Sequence, residues 1–353
     1  MSIHAAILGA TGYGGGELLR LLLPHPECAQ IQAISHSQAG KRMDEAQPQL
    51  RGLTTQRLQD TVDWRALASA EHPVLFAALP HGEFARRFRA LRDEWTAAEL
   101  AQRLTVIDLS GDFRLRLPAH FELAYGQPHP CPEFLADFVY GLSEWQQVNP
   151  ESRYIANPGC FATALALAMA PLAKLPAEQR PAQIAISAVT GSSGSGATPG
   201  EGTHHATRAH DFRAYKPLTH QHVQEVAQGL RGFGWEAAFS LVTHSAPMVR
   251  GIYATAQFQL GNAQAANALK QLYTEAYPDG GFVRVCAGPP RLLAVLGSNF
   301  VDLQCVVQGR DVAVLVALDN LVKGMAGQAV QNMNLALGLN FDSGLRQAPL
   351  WPA

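Results

Sequence analysis

The chain has 353 residues, of which 47% are hydrophobic and 16% are charged. This supplies enough apolar material for two domain cores and excludes a disordered chain. The formal net charge of −2 gives no electrostatic attraction to nucleic acid or to an anionic membrane, so neither is expected as a partner.

The cysteines and the N-terminus indicate a compartment. The five cysteines are odd in number and lack the spacing of a disulfide framework, which favours a reducing compartment. The N-terminus has no charged region followed by a cleavage site, and no apolar run reaches the roughly 20 residues of a membrane helix. We therefore expect a cytoplasmic enzyme or binding protein.

The first predicted strand, residues 4–8, leads into a glycine-rich turn. Glycines at positions 9, 12 and 15 precede a helix predicted at residues 17–23. This order is typical of a nucleotide site, because glycines let backbone amides approach a pyrophosphate at the helix N-terminus. The residues expected to contact the cofactor in this turn are Gly9, Thr11, Gly12, Tyr13 and Gly14.

The second predicted strand, residues 31–34, ends at Ser35. NAD-specific sites usually place an acidic residue here, where it binds the ribose 2′-hydroxyl. This chain instead has Ser35 and His36, with Lys41 and Arg42 nearby. Hydroxyl and cationic groups suit a 2′-phosphate, so the sequence favours NADP as the cofactor and places Ser35 in its site.

Two further strands are predicted within residues 74–82 and 105–114, each ending in polar, turn-forming residues. The carboxyl ends of parallel strands share one sheet edge, where ligands bind, so Pro80 is also expected to contact the cofactor. Helices predicted at 84–92 and 96–103 alternate with these strands. The pattern predicts an α/β domain with a doubly wound, parallel, Rossmann-type sheet.

A turn at Asn157-Pro158-Gly159 delivers Cys160 to the start of an apolar helix. Unpaired N–H groups and the partial positive charge of a helix N-terminus favour a thiolate over a thiol. Cys160 is therefore a candidate nucleophile for covalent catalysis. The alternative from these residues alone is a buried cysteine that only packs.

Other motifs follow in a characteristic order. They are Ala78-Leu79-Pro80-His81-Gly82, Asp108-Leu109-Ser110-Gly111-Asp112-Phe113-Arg114, Gly191-Ser192-Ser193-Gly194-Ser195-Gly196, Tyr215-Lys216, His220-Gln221-His222 and Asp319-Asn320-Leu321-Val322-Lys323-Gly324. With the glycine turn and the Cys160 motif, they make the chain similar, from about residue 4 to about residue 345, to the N-acetyl-gamma-glutamyl-phosphate reductases.

The resemblance implies an NADPH-dependent reductase of arginine biosynthesis. It would convert N-acetyl-glutamyl 5-phosphate to N-acetyl-glutamate 5-semialdehyde and release phosphate. A cysteine suits this reaction, because thiolate attack on the acyl carbon gives a thioester that hydride can then reduce. The resemblance also implies that Gly191, Ser193, Gly194 and Asn320 belong to the cofactor site.

The thiol needs a base, and His220 and His222 are the candidates. Two residues apart in a segment predicted to be extended, both would point to the same side. We expect His222 to be the partner of Cys160 and His220 to bind substrate.

The substrate carries a phosphate and a carboxylate, which arginine binds well because its fork makes two parallel hydrogen bonds. The expected substrate-binding residues are Arg114, Arg250, Lys216 and Asn157. Three histidines, His204, His205 and His210, lack further ligands at a plausible spacing, so no metal is expected.

The C-terminal half is predicted to form an α+β domain on a largely antiparallel sheet with one wet face. Its predicted strands cover residues 184–189, 239–242, 252–260, 301–307 and 312–318, and its helices cover 265–277 and 321–337, the last with an amphipathic stripe. The family resemblance returns the last helix to the first domain. The predicted domains are 1–156 plus 319–353 for the dinucleotide and 157–318 for catalysis and oligomerisation. A one-sided sheet needs a partner, so a homodimer or homotetramer is expected.

Two alternatives remain open. The stretch Thr203–Arg208 resembles a sister group that reduces a carrier-bound aminoadipyl phosphate in lysine biosynthesis, whereas Asn157-Pro158 favours the acetylglutamyl substrate. The second alternative is a non-catalytic NADP-binding sensor, because a fold alone does not fix a function.

Overall fold

The computed structural model describes residues 2–145, 148–261 and 263–351. The chain forms two compact units, unit 1 from Met1–Pro158 with Met325–Arg346 and unit 2 from Gly159–Gly324 with Gln347–Ala353. The sequence-based domain limits, after residues 156 and 318, stay a prediction. Residues 1, 146, 147, 262, 352 and 353, which fall within the predicted domains, lie outside the described residues.

Unit 1 contains a six-stranded parallel sheet in the order β2-β1-β3-β4-β6-β5. Its strands are β1 (Ile3–Leu8), β2 (Cys28–Ile34), β3 (His72–Ala77), β4 (Thr105–Asp108), β5 (Val139–Tyr140) and β6 (Tyr154–Ala156). Its helices are α1 (Tyr13–Leu22), α2 (Met43–Ala46), α3 (Trp64–Ala68), α4 (Glu83–Ala97), α5 (Pro118–Tyr125) and α10 (Gly327–Ala336). The parallel α/β architecture confirms the predicted fold class of this half.

Two predicted elements of unit 1 differ from the structure. The first helix begins at Tyr13, four residues earlier than predicted, because Gly12 already acts as its N-cap. The helix predicted at 96–103 is wrong, since α4 continues to Ala97 and turns follow. The start of α4 is held from a distance, because the carboxylate of Asp112 accepts hydrogen bonds from the N–H groups of Gly82 and Ala85.

The last helix, α10, packs against α1 and β4 within unit 1. The prediction of an amphipathic stripe is wrong, because its polar side chains are buried as well: Gln328, Gln331, Asn332 and Asn334. Two of these amide groups bind the backbone at the edge of the sheet. Gln328 and Asn332 both donate to the carbonyl of Gly141, which directly follows β5.

Unit 2 contains a seven-stranded sheet in the order β11-β12-β13-β10-β7-β9-β8. Its strands are β7 (Ile184–Thr190), β8 (Arg213–Tyr215), β9 (Phe239–Ser245), β10 (Ile252–Gln259), β11 (Val283–Val285), β12 (Val301–Gln308) and β13 (Asp311–Leu318). Only the β11–β12 and β7–β9 pairs of this sheet are parallel. The largely antiparallel sheet predicted from the sequence is therefore confirmed.

The helices of unit 2 are α6 (Cys160–Met169), α7 (His205–Arg208), α8 (His222–Gly232) and α9 (Ala263–Ala276). Side chains of β7 and β10 alternate between buried and exposed, so one face of the sheet is covered. Helix α6 packs on β10 and β13, and α9 packs on β12. The hydroxyl groups of Tyr273 and Tyr277 donate to the carbonyls of Ala168 and Leu167 at the end of α6, which satisfies groups that a helix C-terminus leaves open.

Short 3₁₀ helices lie at His36–Gln38, Pro48–Leu50, Pro132–Asp137, Ala170–Lys174, Ala177–Gln179, Ser192–Ser195, Glu201–Thr203 and Leu292–Ala294, and a π-helix lies at Val322–Ala326. None of the helices in the described ranges is both long enough and apolar enough to cross a bilayer.

Candidate active site

Cys160 is the first residue of α6, as the sequence predicts. The following nine residues of the helix are all buried, whereas the Cys160 side chain is half-buried. Gly159, in an extended conformation, is the N-cap, and its carbonyl accepts hydrogen bonds from the backbone N–H and the hydroxyl of Thr163. The thiol therefore lies at the helix terminus that favours its anionic form.

His222 lies directly against the residue that precedes Cys160. A Cβ atom at Gly159 would be 2.3 Å from His222 Nε2, so only glycine leaves room for the imidazole at this position. His222 is the first residue of α8, which packs on α6, and its side chain is buried. Two helix starts thus bring the predicted nucleophile and the predicted base into one cluster.

Glu225 completes this cluster. It lies one helical turn after His222 and is 1% exposed. Its Oε2 accepts a hydrogen bond of 3.0 Å from the N–H of Gly159, and its Oε1 lies 3.7 Å from His222 Nε2. At this distance the carboxylate makes an ion pair with the imidazole when the imidazole is protonated.

His220 packs beside His222, with 4.6 Å between the ring centroids. The prediction of an extended segment is wrong, because residues 216–219 form a turn and the Nδ1 of His220 accepts the backbone N–H of His222. A turn in the backbone, and not an extended strand, therefore places the two rings side by side. Burial, followed by the charge of Lys216, lowers the pKa of His220 to about 4, so this imidazole is neutral at neutral pH.

The lowered pKa of His220 predicts a pH-dependent stability. The unfolded chain binds the proton near the ordinary pKa of 6.5, while the folded chain binds it only near 4. Between these values the unfolded state holds more protons, so His220 contributes stability above pH 6.5 that is lost as the pH falls towards 4. The Tm of wild type minus the Tm of His220→Gln should therefore be larger at pH 7.5 than at pH 4.5. An equal difference at both pH values would contradict the assignment.

Two aromatic residues lie against the ring of His220. Phe161 packs on the ring of His220, with 5.2 Å between the centroids, and Tyr215 lies 6.0 Å from the same ring. Burial raises the pKa of Tyr215, and the charge of Cys160 raises it further. The phenol therefore stays protonated within electrostatic reach of the sulfur.

Lys216 is exposed, and its ammonium donates to the side-chain oxygen of Gln221. Its φ angle is +45° and that of Leu218 is +63°. Positive φ is strained for residues other than glycine, and such strain is concentrated at functional sites. The turn that contains Lys216 and precedes the two histidines therefore has a strained backbone conformation, which the surrounding structure must stabilise.

Arg250 is partly buried and forms an ion pair with Asp319, with 3.2 Å between Nε and Oδ2. Asp319 is fully buried, and its Oδ1 also accepts the N–H groups of Leu321 and Val322 at the start of the π-helix. Asp319 therefore caps the start of the π-helix. The same π-helix brings Gly324 against Cys160, where an added Cβ would be 2.7 Å from the Cβ of Cys160.

The second glycine-rich loop follows β7. Ser193 is buried and exchanges hydrogen bonds with the side chain of Asn320, which also accepts the N–H of Gly251. Gly191 is buried against the backbone of residues 249–250, whereas Gly194 is exposed. The structure therefore uses Gly191 and Asn320 to shape this loop, and it exposes Gly194.

The first glycine-rich turn lies in unit 1, between β1 and α1. Gly9 has a φ angle of +80°, and a Cβ there would be 2.3 Å from the carbonyl oxygen of Ala78. At Gly12 an added Cβ would meet only the Gly9 carbonyl oxygen, at an ordinary contact distance of 3.6 Å, so a methyl group has room there. Thr11 and Tyr13 flank this open space, and Tyr13 is 46% exposed. An open cradle at a helix N-terminus fits the pyrophosphate of a dinucleotide.

The open space at Gly12 gives a test of cofactor binding. Its φ of −75° and ψ of 169° suit alanine, so Gly12→Ala should fold normally. The new methyl group would occupy the space expected to hold the pyrophosphate, and we expect the Kd for NADPH to rise about 10-fold or more. Gly15→Ala is the contrasting variant, because its Cβ would be 2.4 Å from the Gly9 carbonyl and should destabilise the fold. Unchanged NADPH affinity in Gly12→Ala, measured by titration calorimetry, would exclude this cradle.

Ser35 is buried at the end of β2, and its hydroxyl lies 3.3 Å from that of Thr11. The cationic residues that follow Ser35 in the sequence differ in whether they are paired with a carboxylate. Arg42 makes two hydrogen bonds to Asp44, and exposed His36 binds Asp60. Lys41 is exposed.

Arg114 and Asn157 are both buried in unit 1. The guanidinium of Arg114 is buried and donates to the carbonyls of Asn157 and Leu109. Asn157 is fully buried; its Nδ2 donates to the Met325 carbonyl and its Oδ1 accepts from Asn332. The side chain of Asn157 thus joins the end of β6 to α10, and its role in substrate binding stays a prediction. Pro80 is exposed beyond the end of β3.

Sequence reasoning missed Glu225 and Asp319. Glu225 had a signal, because a residue three positions after His222 on a helix lies on the same face. The pairing of Asp319 with Arg250 joins parts of the chain too far apart to be inferred from spacing. Among the described residues, no group of three or more histidine, cysteine, aspartate or glutamate side chains is placed to hold a metal ion.

Comparison with known proteins agrees with both units. The family described as semialdehyde dehydrogenase, NAD binding domain, matches residues 4–152, and the semialdehyde dehydrogenase dimerisation domain matches residues 160–320. A solved structure of aspartate semialdehyde dehydrogenase II from Vibrio cholerae shares the fold, with a TM-score of 0.66, 19% identity, and coverage of 96% of this chain and 99% of that chain.

Curated relatives match over nearly the whole chain. An N-acetyl-gamma-glutamyl-phosphate reductase from Shouchella clausii is 38% identical, over 99% of this chain and 100% of its own. A putative LysW-L-2-aminoadipate 6-phosphate reductase from Thermomicrobium roseum is 40% identical over the full length of both. Both matches extend over the two ranges covered by the domain families. The chain therefore belongs to the N-acetyl-gamma-glutamyl-phosphate reductase family, built on the semialdehyde dehydrogenase fold.

Proposed function

We propose that the protein reduces N-acetyl-glutamyl 5-phosphate to N-acetyl-glutamate 5-semialdehyde with NADPH and releases phosphate, as a step of arginine biosynthesis. The observation that carries the proposal is the cluster of Cys160, His222 and Glu225 around Gly159. A thiol, a base and a carboxylate that orients the base are the parts that thioester chemistry needs.

In the proposed first step, His222 takes the proton of the Cys160 thiol, and the thiolate attacks the acyl carbon. The carbon–oxygen bond to phosphate breaks, phosphate leaves with the bonding electrons, and a thioester on Cys160 remains. Glu225 stabilises the imidazolium that His222 has become. The N-terminus of α6 stabilises the thiolate before attack.

NADPH, when bound, supplies the hydride that reduces the thioester. Collapse of the resulting tetrahedral species breaks the bond from carbon to sulfur and releases the semialdehyde. Cys160 leaves as a thiolate and recovers its proton from His222, which restores the starting state. Neutral His220 can donate a hydrogen bond from Nε2 without adding a second positive charge beside His222.

Three cationic residues are proposed to bind the phosphate and carboxylate of the substrate. Arg250 is the strongest candidate, because Asp319 holds its guanidinium in a fixed direction while part of the side chain stays exposed. Lys216 is exposed on the strained turn beside the histidines. Arg114 is buried against carbonyl groups, so we propose that it contributes less to substrate binding than Arg250 and Lys216.

NADP is proposed in preference to NAD. The support is the hydroxyl of Ser35 beside Thr11 and the exposed ammonium of Lys41, which would favour a ribose 2′-phosphate. Measurement of Kd for NADPH and NADH tests this proposal. Tighter binding of NADH would overturn it.

A carrier-bound aminoadipyl phosphate is the second candidate substrate, because the Thermomicrobium roseum relative is named for it. The two acyl groups differ by one methylene, which is worth only about 1–3 kcal/mol of discrimination. The deciding measurement is kcat/KM for NADP reduction, with phosphate, on both semialdehydes. Higher kcat/KM with N-acetyl-glutamate 5-semialdehyde supports the main proposal, and the reverse order supports the second.

We also propose that the protein is a homodimer or homotetramer and is cytoplasmic. The uncovered face of the unit 2 sheet and the matched dimerisation family support assembly. All five cysteines are free thiols, which supports a reducing compartment. Sedimentation showing only monomer at micromolar concentrations would overturn the oligomer.

A further inference from the structure

Gln47 lies just after α2, outside every motif discussed above, yet its side chain reaches the glycine turn. It is 8% exposed. Its Nε2 donates hydrogen bonds to the carbonyl of Ala10, at 3.1 Å, and to the carbonyl of Gly12, at 3.2 Å. One buried amide therefore binds two backbone carbonyl groups of the same turn.

The orientation of this amide is fixed from its other side. Its Oε1 accepts a hydrogen bond of 2.9 Å from the side chain of Gln49, so oxygen and nitrogen are not interchangeable. A Cβ at Gly16 would lie 2.6–2.8 Å from the Gln47 amide atoms. Glycine at this position in α1 is what allows the Gln47 amide to lie against the first helical turn.

The two carbonyls that Gln47 binds control two N–H groups. In a trans peptide the C=O of one residue and the N–H of the next point in opposite directions. Fixing the Ala10 carbonyl therefore fixes the N–H of Thr11, and fixing the Gly12 carbonyl fixes the N–H of Tyr13. In the part of the chain that the structure describes, neither N–H donates to a backbone carbonyl.

We infer that Gln47 is a positioning residue for the cofactor: by holding the carbonyls of Ala10 and Gly12, it directs the N–H groups of Thr11 and Tyr13 and sets the affinity for the pyrophosphate of NADPH. The inference rests on the proposed use of this turn by NADPH. Carbonyl oxygens turned towards an anion would repel it, whereas N–H groups bind it.

The test is the Kd of the full-length protein for three ligands, measured by calorimetry or competition. The ligands are NADPH, 2′-phospho-ADP-ribose, which has the pyrophosphate, and adenosine 2′-monophosphate, which lacks it. In Gln47→Leu we expect the first two Kd values to rise about 10-fold or more, because two hydrogen bonds to the turn are lost. The Kd for adenosine 2′-monophosphate should stay within about 2-fold, a selectivity that general loosening of the fold would not produce.

Gln56→Leu is the matched control, because it makes the same change at an exposed position of unit 1, and its NADPH affinity should change by less than about 3-fold. Gly16→Ala displaces the Gln47 amide without removing it and should reproduce the Gln47→Leu pattern, which keeps the test valid if Gln47→Leu fails to fold. Equal loss for all three ligands, or no loss for any, would overturn the role of Gln47. If Gly12→Ala also leaves NADPH binding unchanged, the cofactor cradle itself fails; if Gly12→Ala weakens binding while Gln47→Leu and Gly16→Ala do not, only the role of Gln47 fails.

Discussion

Cys160→Ser should lower kcat/KM for semialdehyde oxidation by at least about 10³-fold, because a serine hydroxyl at this helix terminus is a far weaker nucleophile than a thiolate. The Kd for NADPH should not change, since Cys160 is not among the residues expected to bind the cofactor. The rate is followed as phosphate-dependent reduction of NADP with N-acetyl-glutamate 5-semialdehyde. Mass spectrometry of the wild type with the semialdehyde and NADP, without phosphate, should show an acyl group on Cys160.

Cys286→Ser is the matched control. Cys286 is also half-buried in unit 2, but its thiol donates to the carbonyl of Arg284 and its pKa is raised by burial. We expect this variant to keep wild-type activity. Full activity in Cys160→Ser would exclude the thioester, and an inactive wild type that still binds NADPH would favour the sensor.

Glu225→Gln should lower kcat by about 10²- to 10⁴-fold while preserving the fold. A glutamine oxygen can still accept the Gly159 N–H, so the local structure keeps its hydrogen bond. The variant lacks the negative charge 3.7 Å from His222 Nε2, so protonated His222 loses its stabilisation. The rate of alkylation of Cys160 by iodoacetamide at pH 7 should fall together with kcat.

Glu236→Gln is the control for charge, because it removes the same charge from an exposed position in unit 2. It should leave kcat and alkylation within about 2-fold of wild type, as expected for a surface site. An unchanged kcat in Glu225→Gln would show that the carboxylate serves only to hold the Gly159 N–H.

The sequence predicts the helix-terminal position of Cys160 correctly, because the turn and the apolar run are local features. The two sheets are also predictable, since their strands are apolar runs bounded by turn residues. The short strands β5, β6, β8 and β11 were missed. They have two or three residues each, too few for a periodic pattern.

The site residues show a different limit. Asn157 is predicted to bind substrate, whereas the hydrogen bond that its side chain accepts from Asn332, far along the chain, is not predictable from the sequence. Gln47 carries no motif, and its contact with the glycine turn depends on the missing side chain of Gly16. Contacts of this kind depend on tertiary packing, which sequence spacing does not encode.

The hydrogen bonds of α10 affect when unit 1 can finish folding during translation. Most of unit 1 comes from the first 158 residues, but the amide groups that bind Gly141 and Asn157 come from α10. The ribosome synthesises Gly159–Gly324 before it reaches α10. Until α10 emerges, the carbonyl of Gly141 and the side chain of Asn157 lack partners that the folded state provides. Unit 1 should therefore complete its folding only after unit 2 has been translated, and nascent chains stalled before residue 325 should expose this part of unit 1 to protease.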